Sequence, residues 1–120
     1  MSKSGMSNKD LVEFFENETT RMVELMKKKN ADYAGGDSDP FANFKRVGSF
    51  KSTTPEQGFF TRMTDKVSRI DSFIANGKLQ VKDESVKDTL RDLANYSLLF
   101  MAYLESEQMR DNNERVQINS

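Results

Sequence analysis

The chain has 120 residues, with 18 Lys and Arg against 19 Asp and Glu for a net charge of −1, and it contains neither cysteine nor histidine. Its length suits one domain that buries a core of its own. The missing residue types exclude disulfides, thiolate or histidine metal sites and histidine-dependent catalysis, so any bound metal must be a hard ion on oxygen ligands.

The first helix is predicted from about Asn8 to Lys29, where apolar residues recur every three to four positions. Either Ser7 or Asn8 can cap its start. Glu18 falls on the apolar stripe of this helix. A buried carboxylate there must pair or bind a cation, whereas one at the edge of the stripe can reach water. The stripe consists of Leu11, Phe15, Met22 and Met26.

Residues 30–54 show no helical period and contain Gly35, Gly36 and Pro40, which predicts a long loop. Such a loop in a compact domain is usually either functional or disordered. We predict that this one is ordered, because aromatic side chains in a loop need a protein surface or a ligand to cover them. These aromatic residues are Tyr33, Phe41, Phe44 and Phe50.

The second helix has a clear start and a clear stop. Thr54 can serve as the N-cap, Pro55 suits the first helical position, and Gln57 completes a capping box. The helix is predicted to end near Ala75, before an Asn-Gly pair that is typical of a C-cap. Its predicted buried stripe consists of Met63, Val67, Ile70 and Ile74.

The polar face of the second helix carries Arg62, Asp65 and Arg69 and admits two interpretations. Asp65 and Arg69 can form an ordinary surface ion pair, which stabilises little. Alternatively, Asp65 faces acidic residues of the third helix while the two arginines hold phosphate oxygens, for which guanidinium groups have a bidentate geometry.

The third helix is predicted from about Asp83 to Glu107. One apolar stripe consists of Val86, Leu90, Leu93, Ser97, Met101 and Leu104. A second stripe begins with acidic residues and continues into Leu99 and Ala102, so the upper half of the helix is apolar nearly all round. A helix of this kind is usually buried on both sides, which predicts a partner subunit and hence a homo-oligomer.

The acidic part of that second stripe consists of Glu84, Asp88 and Asp92, spaced i, i+4 and i+8. Like charges at this spacing repel each other and destabilise a bare helix. A divalent cation would offset this repulsion, because carboxylates at this spacing converge on one point. The alternative is a solvated acidic face near a helix N-terminus, where acidic residues are favoured.

These elements predict an all-α fold, a bundle of three main helices with a long ordered loop between the first and the second, completed by oligomerisation. The predicted boundaries are a disordered tail over residues 1–7, one helical domain over 8–106 and a polar tail over 107–120. No apolar run reaches the length of a membrane span, and residues 1–10 lack the apolar core of a signal peptide. Balanced charge argues against general nucleic-acid binding. We therefore expect a cytoplasmic protein with no membrane or nucleic-acid partner.

Several short motifs resemble those of phage and bacterial domains described as nucleotide-modification associated. The resemblance covers about residues 11–105 and is most specific in its last motif. The motifs are Lys29-Asn30-Ala31-Asp32-Tyr33, Asp39-Pro40-Phe41 with Asn43-Phe44, Arg62 with Asp65-Lys66 and Arg69, and Glu84-Ser85 followed by Asp88-Thr89-Leu90 and Asp92-Leu93-Ala94-Asn95-Tyr96. These domains are similar to the MazG-like all-α nucleotide pyrophosphatases.

The resemblance implies a helical, oligomeric protein that binds Mg²⁺ through acidic motifs and cleaves nucleoside triphosphates to monophosphate and pyrophosphate. It implies catalytic roles for Asp65, Glu84 and Asp88, and a metal site of Mg²⁺ or Mn²⁺ on these three residues and Asp92. Arg62 stands where the family's earlier motif has its first glutamate, so the chain carries fewer acidic residues than the family's usual site.

The same resemblance implies a nucleotide site in which basic residues hold phosphates, aromatic rings stack on the base and polar side chains read its edge. The implied phosphate-binding residues are Arg62, Lys66 and Arg69, the aromatic residues are Tyr33, Phe44 and Tyr96, and the further contacts are Lys29, Asp32, Asn43 and Asn95.

Three functions remain open at this point. The first is a Mg²⁺-dependent nucleotide pyrophosphohydrolase. The second is a catalytically degenerate binding protein that sequesters a nucleotide signal, as in phage counter-defence, in the cytoplasm of the host. The third is a helical interaction module in which the acidic band is only a solvated rim.

Overall fold

The computed structural model describes the backbone of residues 5–34, 39–42, 44–46, 53–76 and 84–119, and the side chains of these residues except 31–34, 84–85 and 118–119. All regular secondary structure in these segments is helical, which confirms the all-α prediction. The main helices are α1 (Asn8–Ala34), α2 (Pro55–Ala75) and α3 (Glu84–Asn119), and residues 42 and 44–46 add a short helical segment. The chain divides into two compact units, Met1–Pro40 and Phe41–Ser120.

Helix α1 begins at the predicted residue, and Ser7 is its cap. The Ser7 hydroxyl accepts a hydrogen bond from the Asp10 N–H, and the Asp10 carboxylate accepts one from the Ser7 N–H, both at 3.1 Å. This reciprocal pair satisfies two backbone donors. The helix ends at Ala34 rather than near Lys29, because neither glycine nor proline interrupts the sequence before Gly35. The first residues of the predicted loop are therefore helical.

Glu18 of α1 is half-buried and forms an ion pair with Arg21, one turn further along the helix, at 3.8 Å. The carboxylate is thus paired, as a carboxylate on an apolar stripe must be if it does not reach water. Leu11 and Phe15, the first residues of that stripe, are exposed. A single amphipathic helix cannot cover its own apolar stripe.

Both ends of α2 lie where the sequence predicts them. Thr54 is the N-cap, and its hydroxyl accepts a hydrogen bond from the Gln57 N–H at 3.1 Å. Pro55 is the first helical residue, where its missing N–H costs nothing. At the other end the Asn76 N–H donates to the Ser72 carbonyl.

Helices α2 and α3 pack against each other around a cluster of aromatic rings. Phe59 of α2 is fully buried, and its ring stacks on Phe44 at 4.1 Å and on Phe100 of α3 at 5.0 Å between centroids. The two helices run antiparallel, because residues later in α2 contact residues earlier in α3. The contacts are Phe59 with Phe100, Arg62 with Tyr96, and Lys66 with Asp92.

The long loop supplies two of the rings in this core. Phe44 stacks on Phe59, and Phe41 meets Tyr103 edge-on at 5.5 Å. Both residues are buried, so protein rather than ligand covers them, and the prediction that aromatic residues order this segment is confirmed for these two. Tyr33 lies in α1 with a side chain outside the described part of the chain, and Phe50 lies outside it altogether.

The predicted buried stripe of α2 is wrong in part, because Val67 and Ile74 are exposed. The face that meets α3 is centred instead on Phe59 and Lys66, with Met63 partly buried beside them. The aliphatic stem of a lysine can cover apolar surface while its ammonium group pairs at the edge. Because Lys66 is charged, apolar spacing alone placed the stripe too far towards the side of Val67 and Ile74.

The predicted apolar stripe of α3 is also displaced, since Leu90, Met101 and Leu104 are exposed. The buried residues described in this helix are Thr89, Tyr96 and Tyr103, spaced by seven. Two of them are tyrosines, whose rings bury apolar area while the hydroxyl finds a polar partner. The packed face therefore lies between the predicted apolar stripe and the acidic band.

Helix α3 continues to Asn119, about three turns past the end predicted near Glu107. The segment from 107 to 119 contains neither glycine nor proline and is rich in good helix formers. Arg110 and Glu107 form an ion pair one turn apart within it. The predicted polar tail therefore continues the helix as far as Asn119, and its residues 108–117 are exposed. None of the described helices is long and apolar enough to cross a membrane.

Replacing Phe59 by alanine should lower the free energy of unfolding by about 3–5 kcal/mol, because it removes the central ring of the stack and leaves a cavity. Phe60 is the matched control, since it is the next residue of the same helix and its side chain is 64% exposed. Phe60→Ala should change the free energy by less than about 1 kcal/mol. Urea unfolding followed by circular dichroism measures both, and equal effects of the two substitutions would contradict the assigned core.

Candidate functional site

Arg62 extends from α2 across the aromatic core towards α3. Its guanidinium carbon lies 5.6 Å from the centroid of the Phe44 ring and 5.8 Å from that of Tyr96. One terminal nitrogen donates a hydrogen bond of 3.3 Å to the Tyr96 hydroxyl. Both rings are buried, whereas Arg62 itself is exposed. Two cation–π contacts and a hydrogen bond thus hold an exposed guanidinium group in place.

Arg62 differs from four other arginines in the partner that its guanidinium group contacts. Arg21, Arg69, Arg91 and Arg110 each form an ion pair with a carboxylate. Within the part of the chain that the structure describes, no carboxylate pairs with Arg62. A guanidinium group has five N–H donors. Arg62 therefore keeps both its charge and most of its donors for an external anion.

Lys66 lies one turn beyond Arg62 and crosses to the other helix. Its ammonium nitrogen is 3.3 Å from a carboxylate oxygen of Asp92. The Lys66 side chain is 15% exposed and that of Asp92 34%. The pair is thus partly shielded from water, where charges are less screened than on an open surface. Arg62 and Lys66 are neighbours on one helix face. They form the basic side of the line of contact between α2 and α3, which we call the α2–α3 seam.

The remaining predicted site residues of α2, Asp65 and Arg69, form an exposed ion pair with each other at 3.3 Å. Of the two interpretations that the sequence allowed, this geometry is the surface ion pair and not the one in which Arg69 is free to hold phosphate. An exposed i, i+4 pair of this kind contributes less than about 1 kcal/mol. The charge of Arg69 is therefore neutralised by Asp65, whereas Arg62 has no carboxylate partner in the described segments.

The acidic band on α3 is also paired with basic side chains. Asp88 contacts Arg91 at 2.8 Å, and Asp92 contacts Lys66. Glu84 is the first residue of α3, and its side chain lies outside the described residues. Among the side chains that are described, no three acidic groups lie close enough together to hold a metal ion. The predicted metal set of Asp65, Glu84, Asp88 and Asp92 stays a prediction.

The predicted nucleotide contacts fall into two groups. The structure brings one group together along the α2–α3 seam through the contacts of Arg62 and Lys66, and Asn95 of α3 is half-buried. The other group lies in or after α1: Lys29 is half-buried, Asp32 and Tyr33 are helical but their side chains are outside the described residues, and Asn43 is outside them entirely. The seam residues joined by these contacts are Phe44, Arg62, Lys66, Asp92 and Tyr96.

Sequence reasoning missed Phe59, on whose packing the position of Arg62 depends. Phe59 lies four residues before Met63 and extends the apolar spacing of α2 towards its N-terminus. That spacing could have identified it. The pairing of Arg62 with Tyr96 had no such signal, because the two residues are 34 positions apart.

A family model described as nucleotide modification associated domain 1 matches residues 50–104. No curated protein and no solved structure matches the chain. The matched interval contains all of α2 and the part of α3 that packs on it, including the Arg62–Tyr96 and Lys66–Asp92 contacts. The α2–α3 unit, with the seam that it forms, is therefore similar to a nucleotide-modification-associated domain.

Proposed function

We propose that the chain binds a nucleotide through its phosphate groups, with Arg62 as the anchoring residue and Lys66 beside it. The observation that carries this proposal is the exposed guanidinium group of Arg62, held on Phe44 and Tyr96 with no carboxylate partner among the described residues. The match of residues 50–104 to a nucleotide-modification-associated domain supports a nucleotide as the source of the phosphate.

The physical advantage of this arrangement is preorganisation. A free arginine loses rotamer freedom when it binds a ligand, and that loss weakens binding. Arg62 has already lost much of this freedom to the two rings and the Tyr96 hydroxyl. A planar guanidinium group held in one orientation can then donate two parallel hydrogen bonds to a phosphate.

The base contacts of this nucleotide remain proposals. Phe44 and Tyr96 are buried and already contact Arg62, so we assign them first to positioning that residue. Asn95 is half-buried and lies three residues after Asp92 on α3, and its side-chain amide can offer both a donor and an acceptor to a base edge. The remaining predicted contacts are Lys29, Asp32, Tyr33 and Asn43, with Arg69 as a further phosphate ligand.

Arg62→Ala should weaken the binding of ATP, measured by calorimetry in the presence of EDTA, by at least tenfold, because it removes charge-assisted hydrogen bonds worth about 1.5–3 kcal/mol. Arg62→Lys should recover only part of this affinity, since an ammonium group cannot bind bidentately. The control is Arg110→Ala, which removes the same charge from an exposed ion pair on α3. Equal affinities of the Arg62 and Arg110 variants would overturn the assignment.

A second candidate function is Mg²⁺-dependent cleavage of the bound nucleotide at a phosphoanhydride bond. The observation that favours it is the acidic band, with Asp88 and Asp92 one turn apart on the flank of the packed face. Bound Mg²⁺ or Mn²⁺ would neutralise phosphate charge and lower the pKa of a water molecule. Its proposed ligands are Asp65, Glu84, Asp88 and Asp92.

The oxygen donors suit a hard cation, but three of these carboxylates are engaged with Arg69, Arg91 and Lys66. They would have to give up those cations to bind a metal. Arg62 also stands where the pyrophosphatases that the sequence resembles have an acidic residue. The alternative is therefore a protein that binds the nucleotide without cleaving it and so sequesters a nucleotide signal.

Recovery of the ligand separates these two functions. Incubation of ATP with Mg²⁺ and the protein, followed by mass spectrometry, should give monophosphate and pyrophosphate if the chain is a hydrolase, and intact ATP if it sequesters. For a hydrolase, Asp88→Asn should lower the rate by at least 100-fold, since a lost metal ligand removes the charge stabilisation it supplies. Asp111→Asn, at an exposed position of the same helix, should leave the rate unchanged.

We also propose that a second copy of the chain covers the outer face of α3, forming the predicted homo-oligomer. Leu90, Leu98 and Met101 are exposed on the side opposite the buried tyrosines. A two-fold pair of identical helices would bring this apolar stripe against itself, which makes the contact self-complementary.

Met101→Glu should therefore shift the protein towards the monomer in light scattering after size-exclusion chromatography, because it places a charge in the apolar contact. Ser106→Glu adds the same charge at an exposed position of α3 away from the stripe and should leave the mass unchanged. A wild-type protein that is monomeric at high micromolar concentration would contradict the oligomer.

A further inference from the structure

We propose that Asp92 occupies, in the ligand-free chain, the place on Lys66 that a ligand phosphate takes on binding, so that binding exchanges one anion for another. This inference rests on the proposed phosphate site at Arg62 and Lys66. It assigns Asp92 a role that the acidic band alone does not require, that of an internal competitor for the phosphate.

The geometry of the seam supports the exchange. The Asp92 carboxylate lies 3.3 Å from the Lys66 ammonium group. Arg62 is one turn away on the same helix and is held by Phe44 and Tyr96, with no carboxylate partner among the residues that the structure describes. An anion bound by Arg62 and extending along α2 therefore reaches the ammonium group that Asp92 neutralises.

Asp92 reduces the positive charge that the α2–α3 seam offers to a phosphate. Arg62 and Lys66 each contribute one positive charge, and Asp92 cancels one of them. Because Lys66 and Asp92 are partly shielded from water, the repulsion between Asp92 and an incoming phosphate is screened less than on an open surface. Removal of the carboxylate charge should therefore strengthen anion binding in the absence of metal.

A different result is expected if the Asp92 carboxylate is only a metal ligand. In that case, its removal should leave metal-free phosphate binding unchanged and weaken only binding in the presence of Mg²⁺. A titration without metal therefore isolates the competition between Asp92 and phosphate from any contribution of the cation.

The test is calorimetric titration of the full chain with inorganic pyrophosphate in EDTA. Asp92→Asn should bind pyrophosphate roughly tenfold more tightly than the wild type, the effect expected of one partly screened charge at this distance. Asp111→Asn, which removes an exposed charge from the same helix, should bind like the wild type. In a Lys66→Gln background, Asp92→Asn should give at most a twofold gain, because the competition acts through Lys66.

Thermal unfolding without ligand checks that each variant is folded, and Asp92→Ser replaces Asp92→Asn if the latter is not. Unchanged or weaker pyrophosphate binding by the folded Asp92 variant, with wild-type binding intact, would overturn the exchange and leave the phosphate site standing. A gain of the same size in the Lys66→Gln background would also overturn it. Failure of the wild type and of every Asp92 variant to bind pyrophosphate would instead overturn the phosphate site and the exchange with it.

Discussion

The stack of Phe44, Phe59 and Phe100 is the contact on which the rest of the α2–α3 unit depends. Phe59 is fully buried between a ring from the loop and a ring from α3, so one side chain joins three parts of the chain. Parallel stacking at these distances adds to the hydrophobic gain of burying each ring. Because Phe44 is fixed by this stack, it can in turn support the guanidinium group of Arg62. The core and the candidate site are therefore one continuous set of contacts.

Charge pairing then distinguishes one basic residue of the seam from the rest. Lys66 and Arg69 are neutralised by Asp92 and Asp65, whereas Arg62 is held by aromatic rings and a hydroxyl group. Cation–π contacts orient a guanidinium group without cancelling its charge. An arginine held in this way is suited to an external anion, and the similarity of residues 50–104 to a nucleotide-modification-associated domain makes a nucleotide phosphate the natural candidate.

The helices could be predicted from the sequence because their signals are local. The Thr54 cap and Pro55 define the start of α2 through contacts within one turn. The buried faces could not be predicted as well, since they depend on which residues meet across the seam. Lys66 is charged but central to its face, and Tyr96 is polar but buried. A prediction based on the spacing of apolar residues therefore assigns neither Lys66 nor Tyr96 to the core.

The geometry of the candidate site could not be predicted for the same reason, because it depends on contacts between residues that are far apart in the sequence. The sequence singled out Arg62, Lys66 and Tyr96 through a motif resemblance, but the Arg62–Tyr96 and Lys66–Asp92 contacts join residues about thirty positions apart. Such contacts depend on the packing of the whole unit. The ion pairs of Asp65 and Asp88, by contrast, are formed within one helical turn. The i, i+4 spacing alone predicted the first of these ion pairs, between Asp65 and Arg69.

The central claim is that the guanidinium group of Arg62 binds phosphate, and arginine side-chain NMR tests it most directly. In a titration of the protein with ATP in EDTA, the side-chain N–H resonances of Arg62 should shift in proportion to ligand occupancy. Those of Arg110, which is paired with Glu107, should stay in place. Saturation of the protein with ATP while the Arg62 resonances remain unmoved would contradict the account.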